Sequence, residues 1–256
     1  MIPTKLSVNL NKIALIRNSR EGNYPDLIAH GRTCLEAGAD GLTVHPRPDQ
    51  RHIRAADIPD LTTLLSHWPE AEFNIEGNPF APSLGTYPGF MALVAEHPPH
   101  QCTLVPDSND QLTSDHGFDL TQAGQRLTPI IRQIKDLGVR VSLFMDPDVD
   151  QIERASDLGA DRIELYTGPY ALAHRHAHSD LAQLLERYRT AAERARELGL
   201  GVNAGHDLNL DNLAQFLRVV GAAEVSIGHA LTVDALAMGL TPAVAAYRQI
   251  CQTPIR

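Results

Sequence analysis

Lysine is the scarcest charged residue in this 256-residue chain, which holds only Lys5, Lys12 and Lys135. Neither Lys5 nor Lys135 ends an apolar, strand-like run, so a lysine Schiff base has no candidate outside Lys12. Cysteine is equally rare: Cys34, Cys102 and Cys251 are odd in number and far apart. That excludes a disulfide framework and predicts buried thiols in a reducing compartment. No apolar run is long enough to span a bilayer, and Met1-Ile2-Pro3-Thr4-Lys5 is not a basic head followed by an apolar stretch. A cytoplasmic protein without a membrane partner is therefore expected. Net positive charge is also lacking: the formal balance is −9, which argues against a nucleic-acid partner or an anionic surface. An anionic ligand must then be drawn in by a local basic cluster. The single tryptophan, Trp68, is expected to serve packing.

What is present is alternation. Apolar runs of strand length recur at Leu6–Leu10, Gly41–His45, Glu72–Gly77, Gln101–Pro106, Arg140–Asp146, Arg162–Gly168, Leu200–His206 and Glu224–His229. Helix formers at helix spacing fill Asp26–Glu36, Leu120–Leu137, Val149–Leu158, Asp180–Leu198 and Leu208–Val219, and Thr232–Cys251 closes the chain. This predicts an α/β fold: one (β/α)₈ TIM-barrel domain over residues 1–256. Asn78–Gly89, with three prolines and two glycines, reads as a long loop before a short helix at Phe90–Glu96. Gly38-Ala39-Asp40 echoes Gly159-Ala160-Asp161 before the second and sixth strands. The echo fits helix C-cap glycines or a half-barrel repeat.

Strand parity predicts a polar barrel interior. If Leu42 and Val44 face the helices, Thr43 and His45 face the axis, and the same rule turns Asn9, Asn74, Glu76, Thr103, Ser142, Glu164, Asn203 and Ser226 inward. Barrels usually fill that space with branched apolar side chains. Burying carboxylates there is costly for packing alone, so Glu76 and Glu164 point to function.

Barrel enzymes place their chemistry at the C-terminal strand ends. Those positions collect Asn9, Asn11 and Lys12 with Arg17 and Arg20 beyond, then His45, Arg47, Arg51 and His52, then Glu76. Glu164, His206 and Gly228-His229 complete the ring. Two histidines and a glutamate on separate strands suit repeated proton transfers near neutral pH. The arginines suit phosphate or carboxylate oxygens, and the glycines of the last two strands leave backbone N–H groups free for a phosphate.

With these residues in place the sequence resembles the pyridoxine 5′-phosphate synthase family. The blocks that carry the likeness include Val8-Asn9-Leu10-Asn11-Lys12, Arg17-Asn18-Ser19-Arg20, Gly38–His45 with Arg47 and Arg51-His52-Ile53, and Asn74-Ile75-Glu76. They continue through Leu104-Val105-Pro106, Val141-Ser142-Leu143-Phe144, Ile163-Glu164 with Thr167-Gly168, Val202–His206 and Ile227–Ala230. The resemblance implies condensation of 3-amino-2-oxopropyl phosphate with 1-deoxy-D-xylulose 5-phosphate to pyridoxine 5′-phosphate, phosphate and water, without metal or organic cofactor. It implies Glu76 as general acid/base, His45 as base, His206 as proton donor and Glu164 as stabiliser of positive charge in the transition state. It further implies Asn9, Arg20, the backbone around Asp207, Gly228 and His229 around the amino ketone, and Asn11, Lys12, Arg47, His52 and Thr113 around the ketose phosphate. Arg51 is expected only to brace its loop, Pro106–Gly117 to act as a lid, and the subunits to form a homo-octamer.

Three features depart from the family pattern: Asn11-Lys12 replaces a common Asp-His, Tyr166 stands where histidine is common, and Asn78–Gly89 is long. The His174–His178 tract reads as a solvated loop rather than a metal site, and Asp148 as a helix N-cap. The rival readings are another phosphate-handling barrel, such as a Schiff-base aldolase or isomerase, and a barrel that binds without turnover.

Overall fold

The computed structural model describes residues 3–253. Its strands are β1 (Lys5–Asn9), β2 (Gly41–Val44), β3 (Glu72–Gly77), β4 (Gln101–Leu104), β5 (Arg140–Met145), β6 (Arg162–Leu165), β7 (Gly201–His206) and β8 (Glu224–Ile227). They pair in parallel in chain order, and β8 returns to β1 to close a (β/α)₈ barrel. The surrounding helices are α1 (Asn11–Asn18), α2 (Leu27–Glu36), α3 (Asp57–Leu65), α4 (Phe90–Glu96), α5 (Leu120–Asp136) and α6 (Val149–Asp157). They continue with α7 (Gly168–Arg175), α8 (Leu181–Glu197), α9 (Leu213–Val220), α10 (His229–Met238) and α11 (Leu240–Gln252).

The outward strand side chains are Leu, Ile, Val, Phe, Met, Ala and Cys and are almost fully buried against the helices. Burial of each such side chain contributes about 1.5–3 kcal/mol, so the apolar layer between sheet and helices is the main stabilising shell. The inward side chains are polar apart from Phe144, which lines the mouth of the barrel. Register sets Asn9 beside Thr43, Thr43 beside Asn74, Glu76 beside Thr103, and Glu164 beside Asn203. Several satisfy one another: the Ser7 and Thr43 hydroxyls lie 2.7 Å apart, and Thr103 donates to the Asn74 side-chain carbonyl at 3.1 Å, while the buried Ser142 hydroxyl has no partner. At the N-terminal end of the barrel Lys5 and Arg140 both pair with Glu72, while Arg162 and Gln101 reach Glu224. This charged floor was invisible to a search confined to strand tips.

The repeated Gly-Ala-Asp segments do the same work twice. Gly38 and Gly159 take the left-handed φ values of 97° and 85° that end a helix. Asp40 then accepts from the Leu6 N–H, and Asp161 from the Val141 N–H, each at 2.9 Å.

Some boundaries differ from the sequence-based expectation. The stretch Thr232–Cys251 belongs to two helices, because Gly239 turns the chain at φ 90° between α10 and α11. The helix expected from Leu208 begins at Leu213, since Asn209 and Asn212 bind each other's backbone in a turn. His174 and Arg175 are the last turn of α7 rather than loop, with His174 packed on Tyr170. Asp148 caps α6 by accepting from Gln151 N–H at 3.2 Å. Residues 78–89 form a loop, pinned by a bridge between Leu84 and Tyr87 and by Arg126 stacked 3.9 Å from the Phe80 ring centre. All three cysteines are buried free thiols.

Candidate active site

The C-terminal mouth of the barrel opens into a cavity of about 330 Å³. His45, Glu76, Glu164 and His206 all face it, carried by four different strands or strand ends. Asn9, Asn11 and Lys12 line it from the β1–α1 side, and Arg47 and His52 from the loop after β2. Thr113, Asp207, Gly228 and His229 complete the wall. Arg20 does not line the cavity; it lies exposed just past the end of α1. Arg17 is also not a ligand anchor, because it is buried and clasped by both oxygens of Asp57, at 2.6 and 2.9 Å.

Glu76 follows Asn74 on the inward face of β3 and is contacted by the Asn9 amide at 3.4 Å and the Asn74 amide at 3.5 Å. Burial raises its carboxyl well above the ordinary value, and Glu164, Asp107 and Glu224 add to the effect. His45 sits beside it, with Nδ1 3.8 Å from the nearer Glu76 oxygen. Burial holds the imidazole down at about 3, reinforced by Arg47, Arg51 and His206. Burial thus favours the uncharged form of both groups, an acid beside a base, the pairing that proton shuffling on a carbonyl substrate needs. His52 is likewise held at about 3 by burial, and its Nδ1 accepts from the Ile53 N–H at 2.9 Å.

Alternation along β7 would turn His206 away from the axis. The residue instead takes φ 59°, a left-handed conformation that costs on the order of 1 kcal/mol. Its ring swings over the mouth, where Nε2 meets the Thr113 hydroxyl at 2.9 Å and Nδ1 meets Asp207 at 3.0 Å. Tyr166 packs edge-on to the same ring at 5.4 Å, and Phe144 lies 6.4 Å away. Gly205 beside it accepts no side chain: a Cβ would stand 2.3 Å from the Ser226 carbonyl and 3.2 Å from Glu164. Glu164 has its carboxyl raised to about 8 by burial and then by Glu224.

That rise makes a pH prediction. Between about pH 4.5 and 8 the folded barrel binds a proton at Glu164 that the unfolded chain has released, so stability falls with rising pH across that window. Glu164→Gln removes the term, and its melting temperature should gain on the parent steadily from pH 5 to 8. Parallel melting curves across that range would refute the assignment.

The segment expected to act as a lid is held by the arginines of the loop after β2. Arg47 donates to the carbonyls of Ser108 and Gln111 at 3.1 and 3.2 Å, and Arg51 to those of Gln111 and Asn109 at 2.9 and 2.5 Å. Asp107, at the lid's first turn, ion-pairs with Arg47 and lies 3.3 Å from His45 Nε2. Sequence reading missed Asp107, Ser114 and Phe144. The available signal for Asp107 was a carboxylate two residues past Val105, where an apolar strand ends. Among the described residues no group of three or more His, Cys, Asp or Glu side chains is arranged to hold a metal ion.

Residues 6–253 match the family model described as pyridoxal phosphate biosynthesis protein PdxJ. The chain belongs to the PdxJ family. It is 56% identical over 248 residues to the pyridoxine 5′-phosphate synthase of Xanthomonas campestris pv. campestris (strain B100), covering 96% of both chains. The synthase of Xanthomonas axonopodis pv. citri (strain 306) is 55% identical over 251 residues, covering 98% of this chain and 97% of that one. The synthase of Xylella fastidiosa (strain M12) is 53% identical over 248 residues, covering 96% and 94%. Among solved structures, the Amycolatopsis orientalis BexX/CysO complex superimposes with a TM-score of 0.64 at 16% identity, covering 99% of this chain and 90% of that one. Phosphoribosyl anthranilate isomerase from Thermotoga maritima gives 0.56 at 11%, covering 98% and 100%. These distant likenesses establish the barrel fold of this PdxJ member and nothing about its chemistry.

Proposed function

We infer that this chain is a pyridoxine 5′-phosphate synthase, condensing 3-amino-2-oxopropyl phosphate with 1-deoxy-D-xylulose 5-phosphate to form pyridoxine 5′-phosphate, phosphate and water. The observation that carries the chemistry is Glu76 3.8 Å from His45 Nδ1, both buried, with His206 lining the same cavity. Glu76 gives and takes the protons of amine addition and dehydration. His45 removes the carbon-bound proton, and His206 protonates the departing phosphate oxygen. Glu164 lines the same cavity, and its carboxyl stabilises positive charge developing on the substrate nitrogen in the transition state.

Two anionic groups are recognised by two neighbouring sets of residues in the one cavity. Gly228 and His229, at the N-terminus of α10, together with Asn9 and the Asp207 backbone, suit the amino ketone phosphate. Lys12, Arg47 and His52, with Asn11 and Thr113, suit the ketose phosphate. Arg20 lies outside this cavity, so a role at the first phosphate requires approach from elsewhere. Self-association as a homo-octamer is supported by Val233, Leu236 and Met238 of α10 and Leu15 and Ile16 of α1, which leave apolar surface exposed on neighbouring helices. A cytoplasmic setting is supported by the three buried free thiols, and among the described residues no helix is long and apolar enough to cross a membrane.

Incubating purified protein with both substrates and following the pyridine chromophore tests the reading. Product is expected without added metal. Absence of product at high enzyme concentration would overturn it, and borohydride trapping of a keto-phosphate on Lys12 would revive the Schiff-base alternative.

A further inference from the structure

We propose that Asp107 is a positioning residue that fixes the tautomer of His45 and occupies Arg47 until a substrate phosphate displaces it. The inference rests on the synthase reading for its kinetic part only. Asp107 is 5% exposed, and its backbone carbonyl is gripped by the Asn78 side chain at 2.7 Å. Its Oδ2 is turned toward His45 and Arg47. One oxygen pairs with Arg47, lies 3.3 Å from His45 Nε2 and accepts from Ser114, next to Thr113, at 3.4 Å. A buried carboxylate satisfied by scaffold groups would be structural; this one is satisfied by the base, a phosphate anchor and the lid.

The two nitrogens of His45 face different spaces. Nε2 faces Asp107 and a side pocket of about 120 Å³ lined by Asn78, Phe80 and Pro82. Nδ1 faces Glu76 and the main cavity. A neutral imidazole carries one N–H, and an acceptor that cannot donate draws it to the facing nitrogen. The carboxylate of Asp107 therefore places the proton on Nε2 and leaves the Nδ1 lone pair as the base on the substrate side. Contacts of this kind, loose before substrate binds, tighten in the reacting complex. Arg47 meanwhile spends its donors on Asp107 and on the Ser108 and Gln111 carbonyls. A phosphate with three acceptor oxygens competes for the same guanidinium.

The tautomer can be read without turnover, by solid-state ¹⁵N NMR of histidine-labelled enzyme, the His45 signals being those lost in His45→Asn. The wild type should show a protonated Nε2 and a bare Nδ1. Asp107→Asn, whose amide can donate to Nε2, should move the proton to Nδ1 and lower kcat by about 10²–10⁴-fold, the range seen when a histidine is held in the wrong tautomer. Its KM for the ketose phosphate should not rise, because Arg47 is released. Asp107→Glu should keep the wild-type tautomer and recover at least about tenfold of the lost kcat. A wild-type His45 protonated on Nδ1, an unchanged tautomer in Asp107→Asn, or a kcat within about threefold of the parent would each overturn the proposal. If the wild type shows the expected tautomer yet makes no product, the synthase reading fails while the positioning role stands.

Discussion

Glu76→Gln should lower kcat for ring formation by about 10²–10⁴-fold while leaving KM for both substrates within a few-fold. The substitution keeps the shape of the side chain and one of the two bonds it accepts from the Asn9 and Asn74 amides, so the packing around it is retained. What it removes is a transferable proton. Burial and three neighbouring carboxyls hold the Glu76 carboxyl well above the ordinary range, next to an imidazole that burial holds down. The amide cannot protonate a leaving hydroxyl or return the proton later. Steady-state kinetics with saturating substrates will decide, and a variant within a few-fold of the parent would assign the acid role elsewhere.

The largest effect on stability is expected at Asp57. Arg17 is 1% exposed and donates to both Asp57 oxygens, to the His52 carbonyl at 3.0 Å and to the Asn18 side chain at 3.0 Å. Removing one partner of such a pair leaves a buried charge without compensation, which costs about 3–5 kcal/mol. Asp57→Ala should therefore lose that much in urea unfolding. Arg17→Met combined with Asp57→Ala should recover a good part of it, because the orphaned charge goes too. The same pair holds the backbone of His52, so the single variant should also raise KM for the ketose phosphate. A loss under about 1 kcal/mol would show that Arg17 finds solvent.

The barrel was legible because its signals are local and repeated. Five of the strands, β2 and β5 to β8, follow a helix-ending glycine, and parity alone turned Thr43, Glu76 and Glu164 toward the axis. The helix at Thr232–Cys251 was less so, since nothing in its apolar spacing marks Gly239 as a break. Of the site, the strand-tip residues His45 and Glu76 followed from position, whereas His206 reaches the cavity only through a left-handed φ that defeats parity. Arg17 and Arg47 show the other limit. Both sit in basic clusters, yet one is committed to Asp57 and the other is shared with Asp107 and the lid, pairings made by residues about 40 and 60 positions away. Periodicity does not encode such distant partners.

The central claim is that one cavity joins two phosphorylated substrates and expels one phosphate. The most direct measurement is the phosphate released per pyridoxine 5′-phosphate formed, with each substrate omitted in turn. One phosphate per ring, and none from either substrate alone, is the predicted result. Phosphate released from a single substrate, or released without ring formation, would contradict it.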